Sequence, residues 1–119
     1  MRRRAMTTIS QALESMGYEL VSVRELGEDP GTHTIRSIVI GRIPGNYHDR
    51  PYAVWNCVDW KGRLGSDYGK VGIELCNDIS NLSRSEAIAE EGRRYIDLMQ
   101  RYTWLVPGTD RLVPGCRGS

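Results

Sequence analysis

Two segments of the chain, Thr32 to Ile43 and Pro51 to Trp60, are apolar at both odd and even positions. In the first, Ile35, Val39 and Ile43 alternate with Ile38 and Ile40, which share their parity with Arg36 and Arg42. In the second, Tyr52, Val54, Val58 and Trp60 alternate with Ala53, Trp55, Cys57 and Asp59. A strand with one wet face alternates apolar with polar; these two do not, so they belong to a sheet covered on both faces. The chain must supply two covers or recruit one.

The other elements follow from local signals. Thr8 and Gln11 fit a capping box, Ile9, Ala12, Leu13 and Met16 form a stripe, and Gly17 stands where a helix ends, which predicts a short helix over residues 8–16. Tyr18 to Leu26 reads as a strand with Val21 and Val23 on one face and Leu20 on the other, and the turn Gly27-Glu28-Asp29-Pro30-Gly31 makes a hairpin with Thr32 to Ile43. A last strand is expected over Val71 to Cys76.

Ser83 and Glu86 form a second capping box before a long helix predicted to reach Tyr102. Its stripe of Ile88, Gly92, Tyr95, Met99 and Tyr102 is expected against the sheet, with Gly92 permitting a close approach. Glu90 with Arg94 and Asp97 with Arg101 are expected as i,i+4 pairs on the opposite face. The fold class is α+β: an antiparallel sheet of four strands in the order α-β-β-β-β-α, with the C-terminal helix packed on one face. Residues 1–6 read as a basic tail, 7–104 as one domain, and 105–119 as an arm in which Leu-Val-Pro-Gly occurs twice, starting at Leu105 and at Leu112.

The order helix, strands, helix resembles that of the double-stranded RNA-binding domain over most of the chain. The lysine-rich start of the second helix, with which such domains hold phosphates, is replaced here by Ser83, Arg84, Ser85 and Glu86. The resemblance therefore implies an order of elements and not the RNA contacts.

Charge narrows the partners. Fourteen of the sixteen basic residues are arginine and phenylalanine is absent, a usage expected of GC-rich codons in a high-GC bacterium or its phage. Outside Arg2, Arg3 and Arg4 the chain holds 13 basic against 15 acidic residues, so its body is no polyanion binder by bulk charge. No apolar run is long enough to span a membrane, and three cysteines give no disulfide framework, which points to a cytoplasmic setting.

The candidate chemistry is sparse. Gly65 to Val71 lacks the glycine spacing and the Ser or Thr of a phosphate loop. His33, His48, Cys57, Cys76, Asp49 and Asp59 show no metal-ligand spacing, so neither metal nor cofactor is expected. Cys57 with His48 lacks the glycine elbow of a nucleophile, and no enzymatic activity is expected.

The expectation is a small protein-interaction module, a phage or bacterial accessory protein that binds a protein partner or forms a homo-oligomer. Trp55, Ile38 and Ile40 are expected together on the sheet face away from the long helix, under a second chain or the C-terminal arm. Arg36 and the loop residues Tyr47, His48 and Arg50 complete the expected surface. The alternative is a nucleic-acid binder using Arg2, Arg3, Arg4, Arg36, Arg42, Trp55 and Trp60.

Overall fold

A computed structural model describes residues 8–29, 34–45, 50–60, 72–101, 104–105 and 112–113. The elements run α1 (Ile9–Ser15), β1 (Glu19–Asp29), β2 (Thr34–Arg42), β3 (Tyr52–Trp60), β4 (Gly72–Leu82), α2 (Arg84–Arg101), β5 (Trp104–Leu105) and β6 (Leu112–Val113). They form an α+β fold around one antiparallel sheet of order β4-β3-β2-β1-β5-β6.

Both capping boxes form. At α1 the Gln11 amide donates to Thr8 Oγ1 (3.1 Å) and the Thr8 amide to Gln11 Oε1 (2.9 Å). At α2 the Glu86 amide donates to Ser83 Oγ (3.2 Å) and the Ser83 amide to Glu86 Oε1 (2.8 Å). Helix α1 closes as a Schellman turn: Gly17, at φ +88°, donates to the Glu14 carbonyl, and Tyr18 donates to that of Leu13. The same turn brings the Tyr18 and Leu13 side chains into one apolar cluster.

That cluster explains the two-sided apolar strands. Paired residues of an antiparallel ladder share a face, and the β2–β3 register sets Val39 opposite Trp55 and Ile40 opposite Val54. Leu13, Val39, Ala53, Trp55 and Cys57 are buried together beneath α1. Leu26, Ile38, Ile40 and Val54 are buried with Ala87 and Leu98 of α2 on the other face. The seven-residue α1 is thus the second cover.

Trp55 therefore does not share a face with Ile38 and Ile40, and the two isoleucines lie beneath the long helix, contrary to expectation. Odd and even positions separate them, and no bulge occurs in the β2–β3 ladder to bring them together. The fold closes over Trp55 from within: it is 1% exposed, with Tyr18 packed edge-on at 5.0 Å between ring centres.

Strand β4 continues to Leu82, beyond the expected end at Cys76, because Val54 and Tyr52 keep pairing with Ile79 and Leu82 across irregular register steps. In the arm, Trp104 pairs with Val113 and Leu105 with Leu112, and Leu105 pairs also with Glu28.

Helix α2 keeps Tyr95 and Met99 of its expected stripe half-buried against the core, but is rotated away from Ile88. Its buried residues are Ala87, Arg94 and Leu98, whereas Ile88 is 53% and Ile96 58% exposed. Arg94 takes the inner position because its guanidinium is satisfied there, donating from Nε to Glu90 Oε2 (2.9 Å) and from Nη1 to Asn56 Oδ1 (3.1 Å). The expected pairing of Glu90 with Arg94 is present, but against the sheet instead of in solvent. Asp97 and Arg101 pair at 2.9 Å on the exposed side.

The rotation also moves Gly92. A Cβ placed there meets nothing within 4 Å, so this glycine permits no close approach. The close approach is at Gly41, where a Cβ would lie 2.7 Å from Leu13 Cδ2 and 2.8 Å from the Trp55 ring.

Candidate protein-binding edge

Strand β1 lies beside β2 along its length, but on its other side only Glu28 pairs, with Leu105 of β5. From Glu19 to Gly27 that outer edge has no strand partner among the described residues. Backbone donors and acceptors on such an edge template another strand.

The side chains along this edge are exposed from Leu20 to Glu25. Register steps after Leu20 and after Glu25 leave Val21 and Leu26 as bulge residues. The first bulge overturns the expected faces: Leu20 and Val23, opposite Gly41 and Val39, share the α1 side, while Val21 turns to the α2 side.

There Val21 and Ser22 line an open groove of about 290 Å³ with Ile40, Tyr52, Arg84, Ala87 and Ile88. Its floor is the β2–β3 surface and its far wall the first turns of α2. Arg84 stands there exposed and makes no ion pair or hydrogen bond among the described residues. Glu86, on the same turn, is engaged: the Ser83 amide and Arg50 hold its carboxyl below the usual carboxylate range. Arg50 Nη1 lies 3.0 Å from Glu86 Oε1, so this expected binding residue braces the start of α2.

Other charges near the edge are also committed. Arg42 donates from Nε to Glu19 Oε2 (3.1 Å), and this partnership raises its pKa. Arg24 lies 3.7 Å above the Tyr95 ring and 3.4 Å from Glu91, folded onto α2. Glu25, opposite Ser37 on the α1 side, has no ion pair or hydrogen bond among the described residues.

The expected surface residues thus scatter. Trp55, Ile38 and Ile40 are buried, Arg36 is half-buried on β2, Arg50 is at the start of α2, and Tyr47 and His48 lie outside the described residues. Buried Trp55 offers no ring to a stacked base, and Arg42 is bound to Glu19. Residues 2–4 and His33 also lie outside the described residues. Of the groove residues, the sequence pattern sets Ile88 against the sheet and Val21 on one strand face with Val23. Only the bulge and the rotation of α2 expose them, and neither leaves a periodic signal.

Cys57 is buried in the α1 cluster, where burial foremost pushes its thiol up to about 12, so it is protonated at neutral pH. Cys76 is half-buried on β4, opposite Asn56, its thiol also pushed up by burial. No cluster of metal-binding side chains occurs among the described residues, and no helix among them is long and apolar enough to cross a membrane. Comparisons with protein-family models, with curated proteins and with solved structures return no match to this chain.

Proposed function

We propose that the protein is a non-enzymatic protein-interaction module that takes up another polypeptide strand along the outer edge of β1. The observation that carries this reading is the run from Glu19 to Gly27, which has no strand partner among the described residues and carries exposed Leu20, Val21 and Val23. Natural sheets blunt such edges or use them, and main-chain hydrogen bonding on an edge gives affinity while side-chain pockets give selectivity. The protonated, buried thiol of Cys57 speaks against the nucleophilic alternative built on that residue.

The test is a photo-reactive benzoylphenylalanine placed at Val23, and in a control at Glu14 on α1, in the cell that makes the protein. Adducts to a polypeptide from position 23 and not from position 14 are expected, with mass spectrometry distinguishing a partner from a second copy. Equal or absent cross-linking at the two positions would remove the reading.

A further inference from the structure

Resting on the reading of β1 as a binding edge, we infer that its occupant is an extended peptide with a basic residue, an apolar residue three positions later, and an acidic residue one or two positions beyond. The chemistry comes from two charges without a partner among the described residues, Glu25 on the α1 side of the edge and Arg84 at the rim of the groove on the α2 side. Arg84 stands at the groove rim on the first turn of α2 without an acid partner among the described residues. Its planar fork suits a carboxylate, and the positive end of the 18-residue helix adds to the attraction. Glu25 stands farther along the same edge without a basic partner among the described residues.

The strand register fixes how the features follow one another. Every strand pair of the sheet is antiparallel, including the one β5 makes with this edge, so the incoming chain is taken to run from the Glu28 end of β1 toward Glu19. Between Ser22 and Glu25 the β1 register is regular: Ser22 and Arg24 face α2, and Val23 and Glu25 face α1. A peptide residue opposite Glu25 therefore faces the α1 side. The residue three positions later, opposite Ser22, faces α2 and enters the groove. Arg84 then meets the residues that follow.

The groove, at about 290 Å³, lies at the lower limit of clefts that hold drug-sized molecules and suits a single apolar side chain. A second copy of β1 fits less well. Along the run Glu19 to Gly27 the one basic side chain, Arg24, is held by Glu91, so a second copy brings Glu25 no basic partner.

The experiment is selection of random linear peptides, displayed on phage, against the full chain and against Arg84→Glu and Glu25→Lys. Both positions are exposed, so the variants are expected to fold like the parent, which circular dichroism checks. The parent should enrich the basic-x-x-apolar pattern followed by an acid at the first or second position beyond the apolar residue. A synthetic peptide from that pool should bind Arg84→Glu at least about tenfold more weakly, the loss expected for one charge-assisted hydrogen bond. Glu25→Lys should shift the enriched basic position toward acids. N-methylation of alternate peptide amides should abolish binding, because strand addition needs those donors.

Enriched peptides that need their amides but show no charge preference would overturn the inference and leave the binding-edge reading standing. Binding indifferent to N-methylation would overturn both. No enrichment, with light scattering giving the mass of a dimer and cross-linking from position 23 to a second copy, would replace the peptide by that copy.

Discussion

Gly41 and Gly92 differ by what surrounds a single missing carbon. Gly41→Ala drives a methyl group into Leu13 and the rigid Trp55 ring, both enclosed, and is expected to cost about 1–3 kcal/mol. Gly92→Ala meets open space inside a helix and is expected to add about 0.5–1 kcal/mol by removing the entropy cost of glycine. Urea denaturation of the pair checks both signs; a raised midpoint for Gly41→Ala would mean that α1 moves away from the sheet without loss. A helical wheel marks Gly92 as the tight contact because it falls in the stripe of Ile88 and Tyr95. Gly41 shows nothing unusual in one dimension, since its neighbours Leu13 and Trp55 meet it only after the chain has folded on both sides.

Helix α2 shows why element existence was legible and element orientation was not. Its start at Arg84 follows from Ser83 and Glu86, whereas its inward face depends on Asn56 of β3, which gives Arg94 a partner inside. Leu98→Ala is therefore expected to cost about 2–5 kcal/mol, while Ile88→Ser and Ile96→Ser stay within about 0.5 kcal/mol. Equal losses at all three positions would mean a different rotation.

Glu90 gives the same helix a pH signature. The hydrogen bond from Arg93 foremost, against the cost of burial, and then that from Arg94, hold its carboxyl below the ordinary 4.5. Stability from a carboxyl depressed in this way is present above about pH 4.5 and lost as the pH falls through the lower, folded value. Glu90→Gln should cost up to about 1.5–3 kcal/mol at neutral pH, the range for a hydrogen bond to a charged group. Its difference from the parent should shrink on acidification below pH 4.5, and a gap that holds constant down the acid limb would remove the ion pair as its source.

For the whole molecule, the two-sided apolar strands announced a doubly covered sheet, and the sheet is so covered. The identity of the covers could not be read from them, because a helix as short as α1 counts as a cover only once the Schellman turn lays Leu13 and Tyr18 over Trp55. Leu13→Ala should cost about 2–5 kcal/mol and shift tryptophan emission to the red as Trp55 is uncovered. Unchanged emission with unchanged stability would mean that Tyr18 covers the ring alone.

The four long strands each pair with their sequence neighbours, whereas Leu105 reaches Glu28 across most of the chain. Contacts between sequence neighbours close short loops and form first, and the β5 contact closes a long one. Removing the residues after Arg101 should leave the refolding rate nearly unchanged and act mainly on unfolding. In that order of assembly, β5 arrives at a sheet already built and adds to its open side as a tethered guest, at the high effective concentration that covalent linkage gives. The chain thus carries its own intramolecular rehearsal of strand addition. An outside peptide would repeat that event farther along the same edge, without the tether.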